Sequence, residues 1–307
     1  MNGMVLFQQL LVLFALMLTG FICYKRGLLD EHANTKISSL LVWVLNPCLM
    51  LSGVIGKDSS FSTEIVFQNI VMVLALYSLL FFVGWIYILL FRHKGKDSYL
   101  YRMEYLFPNV GFMGVPLVRE VFGSEYIVFV AFYMLAFNVI CYTYGIHLAA
   151  RYGGNREKFD PKRLISPGTI TAVLAILVFF LRLPVPAPIG TYVDYLGNCA
   201  IAFSMIIIGG SLAKINWKTG FSNPHYYIFL VSDMILVPIL MVLLSKLIPF
   251  DPAVIGVFQI MCCMPVASMT CMFAQEYGGD GTECAKLVAL TTIATVITAP
   301  FVIWLVG

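Results

Sequence analysis

The chain has 307 residues, of which 60% are hydrophobic and only 11% are charged, and its mean hydropathy is +0.90. Soluble domains carry roughly 25% charged residues, so this chain cannot cover a water-exposed surface with polar side chains. The formal net charge is +3, and the basic residues are spread over short segments, which argues against a nucleic-acid partner. The composition predicts a protein of the lipid bilayer.

Ten apolar segments follow one another along the chain. A transmembrane helix needs about 20 largely apolar residues, and the gaps between these segments are too short for a folded domain. We therefore predict an all-α polytopic membrane protein with ten spans. In chain order the segments are residues 4–22, 34–56, 65–91, 103–121, 125–149, 163–182, 191–213, 225–248, 252–276 and 283–306.

The basic residues alternate between the two sides of the predicted membrane. Fifteen of the 19 Lys and Arg residues lie on the side that holds connections 1–2, 3–4, 5–6, 7–8 and 9–10. Basic residues favour the cytoplasmic side, so both termini are expected outside a plasma or inner membrane. The first segment is expected to stay in place as a helix, because basic residues follow it and none precedes it. The four on the other side are Lys57, Arg119, Arg182 and Lys246.

Segments four and nine are the two unusual ones. Segment four contains Pro108 and Pro116, and segment nine contains Pro265, each beside small or polar residues. A proline inside a helix costs about 3 kcal/mol and removes a backbone hydrogen bond. Membrane helices also tolerate simple proline kinks, but two interruptions at matching places favour broken helices that line a binding site. The match implies two five-helix halves, residues 1–151 and 152–307.

Polar side chains near these breaks are the candidates for substrate contact. Asn109 is the first choice, because its amide offers donors and an acceptor beside broken backbone. Asn138 and Gln259 could equally hold helices together, and Ser268 and Thr270 could bond their own preceding carbonyls. The full set of candidates is Asn46, Ser52, Pro108, Asn109, Gly111, Pro116, Asn138, Gln259, Pro265, Ser268 and Thr270.

Asp233 is the only acid that this interpretation places well inside a segment. An ionisable group at membrane depth is costly, which makes Asp233 a candidate for ion coupling. The alternative is an acid paired near the interface with Lys214 or Lys218. Around the Gly278-Gly279 turn, a cluster of charged residues could be either solvated or part of a gate.

The sequence carries no motif for metal, cofactor or ATP chemistry. The eight cysteines form no CxxC pair, and neither HExxH nor GxxxxGK[ST] occurs. Tyr277-Gly278-Gly279-Asp280 departs from the Gly-x-Gly-Asp of intramembrane aspartyl proteases at its first residue. We therefore predict a secondary transporter without a cofactor. An intramembrane protease or lipid transferase, or an ion-coupled exchanger of another substrate class, is the alternative.

Two stretches resemble a known family. Pro108-Asn109 with Met113-Gly114-Val115-Pro116-Leu117, and Phe273-Ala274-Gln275-Glu276-Tyr277, resemble signatures of the auxin efflux carrier family. This family includes plant auxin exporters and bacterial malate or malonate permeases. Thr270 stands where plant members have a proline, so the second break would depend on Pro265.

The resemblance implies a fold and a mechanism. The fold would be two inverted five-helix repeats, as in bile-acid and sodium–proton exchangers, with broken helices four and nine crossing in mid-membrane. Segments 1, 2, 6 and 7 would form a scaffold, usually dimeric, and the other six a transport domain that moves like an elevator. The substrate would be a small organic anion, such as a malate-like dicarboxylate or an auxin-like carboxylate. Proton or sodium coupling stays open.

Overall fold

The computed structural model describes residues 3–55, 61–155, 161–215 and 223–306, and these residues are helical apart from their connections. Most helices lie over one predicted apolar segment or over part of one, but the helix Lys96–Leu106 lies mainly in the predicted connection before segment four. The helices are α1 Gly3–Lys25, α2 Glu31–Ser52, α3 Thr63–Phe91, α4 Lys96–Leu106, α5 Val115–Phe122, α6 Ser124–Tyr152, α7 Pro167–Leu181, α8 Ala187–Ala213, α9 Pro224–Ser245, α10 Pro252–Cys262, α11 Met269–Glu276 and α12 Gly281–Val306.

Seven of these helices are long and apolar enough to cross a membrane: α1, α2, α3, α6, α8, α9 and α12. The chain is therefore a multi-pass membrane protein. Segment six forms the shorter apolar helix α7, while segments four and nine are each divided into two helices. The count of ten spans stays a prediction, because these three segments do not meet the length of a single spanning helix.

Three helices of the second half begin with a capping side chain followed by proline. Ser166 accepts the Thr169 N–H at the start of α7, and Asp251 accepts the Ala253 N–H at the start of α10. Asn223 caps α9 in the same way. Proline at the first helical position has no N–H to leave unsatisfied, so the pair of cap and proline fixes where each helix starts.

In three places a widened helical turn is followed closely by a proline. Residues Leu41–Leu45, Val110–Gly114 and Ser232–Leu236 form π-helical turns, and Pro47, Pro116 and Pro238 follow them within two residues. Because proline lacks an N–H and clashes with the carbonyl four residues earlier, the preceding turn widens. Pro116 therefore lies within a continuous helical segment, and the division of segment four occurs earlier, at Phe107–Asn109.

One group of helices forms a row: α1 packs on α8, α8 packs on α2, and α2 packs on α7. The contact between α1 and α8 depends on two glycines. A Cβ on Gly20 would lie 2.0 Å from the Ile206 carbonyl oxygen, and a Cβ on Gly209 would lie 1.8 Å from that of Met17. Small residues let helix backbones approach this closely, which supplies the van der Waals contact that holds membrane helices together.

The remaining helices pack mainly around the divided ones. Helix α3 packs on α4 and α10, α6 packs on α4, and α12 packs on α9 and α11. Several contacts join this group to the first, and the two largest are those of α6 with α7 and of α12 with α1. Both groups therefore remain in extensive contact.

Replacing Gly209 with alanine should weaken the contact between α1 and α8. The added methyl group overlaps the Met17 backbone, and overpacking of this kind costs about 1–3 kcal/mol. The measurement is the thermal midpoint of purified protein in detergent. Gly190→Ala is the matched control on α8, because its Cβ would lie 3.5 Å from the nearest atom, Ile55 Cγ2. Equal midpoints for the two variants would contradict this account.

Candidate functional site

The two divided segments meet at their breaks and pair through their backbones. The Asn109 N–H donates to the Pro265 carbonyl oxygen at 2.7 Å, and the Ala267 N–H donates to the Phe107 carbonyl oxygen at 2.8 Å. These two bonds form an antiparallel bridge between Pro108 and Val266. The non-helical backbone of each break thus satisfies that of the other, as buried polar groups require in a membrane protein. We call this bridge the crossover.

A cavity of about 100 Å³, measured as the space open to water centres, lies beside the crossover. Helix α2 contributes Val42, which lies in its π turn, and Asn46, which follows that turn. Helix α6 contributes Asn138. The start of α7 and the two breaks complete the walls. Of the candidates chosen from sequence, the cavity brings together Asn46, Pro108, Asn109, Gly111, Asn138 and Ser268.

Asn109 has the position expected of a binding residue. Its side-chain oxygen accepts the Phe112 N–H at 3.2 Å, so one end of the amide caps the π turn that leads into α5. Its Nδ2 makes no hydrogen bond to any described residue, although the side chain is 4% exposed. The capping bond fixes the amide, which leaves the two N–H groups of Nδ2 as donors at the cavity wall.

A second donor lies where α6 meets the start of α7. Asn138 is buried, and its Nδ2 has no hydrogen-bond partner in the described part of the chain. A Cβ on Gly168 would lie 2.9 Å from that nitrogen, so glycine is needed for the amide to approach the N-terminal end of α7. Ser166 and Thr171 of the same end line the cavity, and neither was a candidate from sequence. The sequence feature that could have indicated them is Ser166-Pro167-Gly168, which predicts the start of a helix.

The electrostatics of the cavity favour an anion without any charged side chain. No Lys, Arg or His is among the described residues that line it. Instead, the first residues of α7 and α11 and the π turn before α5 border the space. The N-terminal end of a helix carries roughly half a positive charge and presents unbonded N–H groups. Three such ends around one cavity form a neutral site that is suited to a carboxylate.

Five sequence candidates lie outside the cavity. Ser52 donates to the Leu49 carbonyl oxygen, and Gln259 Nε2 donates to Ser245 Oγ at 3.4 Å, so both side chains are bound within the packing. Pro116 is buried in α5, and Pro265 contributes its carbonyl to the crossover. The hydroxyl of Thr270 lies 3.2 Å from Glu104 Oε2, behind the crossover.

Glu104 is an acid that sequence reasoning missed. It is the second residue of segment four, where an acid is usually an interfacial residue, yet it is 1% exposed. Together with Asp233 it lines a second, much smaller cavity. Lys214, one of the two expected partners of Asp233, pairs with Glu31 instead at 3.2 Å, and Lys218 lies outside the described residues. Asp233 has no ion pair among the described residues.

The charged turn between α11 and α12 is partly tied to α9. Glu283 pairs with Lys286 at 2.6 Å and also accepts a hydrogen bond from the Tyr226 hydroxyl. Glu283 and Lys286 are half-buried, whereas Glu276 and Asp280 beside the same turn are exposed, as solvated charges are. They lie at one end of the helices that hold Asp233 and Glu104.

The sequence profile of a family described as "Membrane transport protein" matches residues 5–163 and 155–303. The chain belongs to this family of membrane transport proteins. The resemblance to auxin efflux carriers is thereby confirmed, and this family membership indicates a transporter, not an enzyme.

Relatives from three organisms match this transport protein over nearly their whole length. An "Uncharacterized transporter" of Methanocaldococcus jannaschii is 25% identical, with 98% of this chain and 99% of the relative aligned. A protein of the same name from Methanothermobacter thermautotrophicus is 24% identical, over 95% and 96%. A "Putative malonate transporter" of Rhizobium meliloti is 21% identical, over 93% and 92%.

Replacing Ala267 with proline should destabilise the crossover. Proline removes the N–H that donates to the Phe107 carbonyl, and a buried acceptor without a partner costs about 1–3 kcal/mol. The measurement is the thermal midpoint and the monodisperse fraction in detergent. Ala267→Gly keeps the donor and loses only a methyl group, so it serves as the control. A proline variant as stable as the glycine variant would show that the bridge contributes little.

Proposed function

We propose that this protein is a secondary transporter of a small organic anion, which binds in the cavity beside the crossover. The observation that carries the proposal is an uncharged cavity that is bordered by three helix N-termini and by the buried amides of Asn109 and Asn138. Neutral donors in a site of low dielectric constant stabilise a carboxylate without the strong attachment of an ion pair. A carrier must also release its substrate, which such a site permits.

The substrate class within this proposal is a small dicarboxylate such as malonate or malate, and an auxin-like carboxylate is the second candidate. The name of the Rhizobium meliloti relative supports malonate as the first probe. The mixed lining supports either class, because Phe137, Met134 and Phe112 face the same space as the two amides. An apolar wall accommodates the carbon skeleton while the helix ends bind the carboxylate.

The proposed architecture is two inverted five-helix repeats. Packing that recurs with an offset of five segments supports it. Helix α1 packs on α8 just as α7 packs on α2, and α3 packs on α4 just as α9 packs on α10. The contact of α1 with α12 likewise corresponds to that of α7 with α6. The two divided segments, four and nine, are related by the same offset.

The proposed mechanism is an elevator-like movement against the scaffold of α1, α2, α7 and α8, in a homodimer. The position of the cavity supports it, since the walls come from α2 and α7 on one side and from the two breaks on the other. A substrate held by the breaks would therefore lie against the scaffold. Coupling to a proton or to sodium, with Asp233 as the candidate, belongs to the same proposal.

Replacing Asn109 with aspartate should reduce uptake of labelled malonate into proteoliposomes. Aspartate keeps the oxygen that caps the Phe112 N–H, but it removes the donor and adds a negative charge. A hydrogen bond to a charged group contributes about 1.5–3 kcal/mol, so affinity should fall at least about tenfold. Asn109→Ala should have a similar effect, unless loss of the cap disturbs folding.

Gln259→Met is the matched control, because it removes a buried amide that lies outside the cavity. The control should transport malonate as the parent protein does. Full uptake by the aspartate variant, or equal loss in both variants, would contradict the assigned site. Absence of transport or binding for a panel of dicarboxylates and aromatic carboxylates would contradict the function itself.

A further inference from the structure

Two carboxyl groups share a small cavity on the far side of the crossover from the substrate cavity. Glu104 of α4 and Asp233 of α9 line this space, whose volume is about 10 Å³ by the same measure. This is close to the minimum that holds one water molecule. Pro108 lines both cavities, so the crossover itself separates the carboxyl groups from the substrate cavity.

Glu104 is held on one side and unpartnered on the other. Its Oε2 lies 3.2 Å from the hydroxyl of Thr270, whereas its Oε1 is buried and has no hydrogen-bond partner among the described residues. Asp233 is partly exposed and lies in the π turn of α9, without an ion pair in the described chain. Glu104 therefore has one buried oxygen without a partner, and Asp233 lacks an ion pair, so fixed partners do not fully satisfy either acid.

The other titratable groups around the pair are neutral at ordinary pH. Cys271 and Cys284 face Glu104 from α11 and α12, with Tyr101 and Tyr152 farther away. Tyr87 and Tyr105 are the neighbours of Asp233 from α3 and α4. No Lys, Arg or His is among the described electrostatic neighbours of either acid. A charged carboxylate without a positive neighbour is costly in such surroundings, so the two acids require a bound positive charge.

A proton fits this site better than a metal ion does. Sodium and other hard cations need a shell of oxygen ligands, but the rest of the lining is mostly apolar or sulfur-bearing. No group of three possible metal ligands occurs among the described His, Cys, Asp and Glu side chains. Those other lining residues are Leu76, Leu80, Tyr105, Pro108, Met261, Cys262, Met264 and Val266.

We propose that Glu104 and Asp233 form a shared proton-binding site, and that Thr270 transmits its protonation state to the crossover. The inference rests on the proposed transport function and specifies its coupling ion. Glu104 and Asp233 bind the proton, while Thr270 acts as a positioning residue. The proton comes from water and forms an O–H bond with one carboxylate oxygen, so no other bond changes.

The hydroxyl of Thr270 can respond to the protonation of Glu104, because it has one proton to donate and two oxygen atoms within reach. It lies 2.9 Å from the Ala267 carbonyl oxygen and 3.2 Å from Glu104 Oε2. When Glu104 is protonated, it donates to Thr270, and Thr270 donates to Ala267. When Glu104 is charged, it accepts, and Thr270 turns away from Ala267 to donate to it. Ala267 belongs to the crossover and lines the substrate cavity, so the proton alters the wall that the substrate touches.

The first test measures accumulation of labelled malonate in proteoliposomes under an imposed pH gradient. With one proton per substrate, a gradient of one pH unit should change the accumulation ratio about tenfold. In Glu104→Gln and Asp233→Asn the ratio should fall to about one, while exchange at equal pH shows that the variants are folded. Glu120→Gln, an exposed acid on α5, should retain the full ratio. The pH gradient changes the ionisation of malonate equally in every sample. A loss of accumulation that occurs only in the Glu104 and Asp233 variants therefore arises from the protein.

Thr270 is tested by the same assay with two substitutions. Thr270→Val should lose the response to the pH gradient although both acids remain, and Thr270→Ser should restore it because the hydroxyl returns. A valine variant that responds as the parent protein does would overturn the role of Thr270. Accumulation driven by a sodium gradient, with no response to pH, would overturn the proton site.

The second test does not depend on transport. Infrared spectroscopy of the purified protein at neutral pH should show the C=O stretch of a protonated carboxyl group in the parent protein and in Glu120→Gln. The band should be absent from the double variant Glu104→Gln/Asp233→Asn. Its absence from the parent, or its persistence in the double variant, contradicts the proposal. Failure of malonate transport with the band present would instead overturn only the proposed function.

Discussion

Backbone hydrogen bonding in a medium without water governs this structure. A helix that is interrupted inside a bilayer leaves N–H and C=O groups that lipid cannot satisfy. Here two interruptions satisfy each other, through the bonds from Asn109 to Pro265 and from Ala267 to Phe107. The two divided segments must therefore meet at these residues. The helix ends that result lie close together, and their positive ends border one cavity.

The crossover also explains why small changes can act across it. It is only a few residues thick, so Pro108 lines both the larger cavity and the small cavity of the two acids. The contact between α1 and α8 has the opposite character, because backbones packed through Gly20 and Gly209 leave no space for adjustment. The hydrogen-bonded crossover can therefore change its arrangement while the tightly packed contact between α1 and α8 stays intact.

The sequence predicted the positions of the seven long apolar helices, because length and apolarity determine a span, but it did not predict that α4 begins at Lys96, in a polar stretch. It also located both interruptions, since Pro108 and Pro265 cannot donate to a helix. It did not distinguish them from Pro116, which only widens a turn, because that outcome depends on how the following turns pack. Among the candidate residues, Asn109 and Asn138 line the cavity, whereas Gln259 does not, since spacing alone does not show which face of a helix is turned inward.

Two parts of the structure, Glu104 and the start of α7, were not predicted as functional from the sequence, for separate reasons. Glu104 was not among the candidates, because its place at the end of an apolar segment does not reveal that α9, α11 and α12 bury it. The start of α7 was visible as Ser166-Pro167-Gly168, but its approach to Asn138 is a tertiary contact between the two halves of the chain. Local patterns define where elements begin and end, and contacts between distant segments decide what those ends face.

The uncharged lining of the main cavity has an energetic consequence for the whole cell. A site without basic side chains does not neutralise a bound anion, so the proposed dicarboxylate, carried with one proton, would still move one net negative charge through the bilayer at each crossing. Moving one elementary charge through a membrane potential involves about 2.3 kcal/mol per 100 mV. A voltage that is negative inside therefore drives such an anion outward and opposes its entry. The resting voltage of the membrane would then set the direction of net flux as strongly as the concentrations of the solute do.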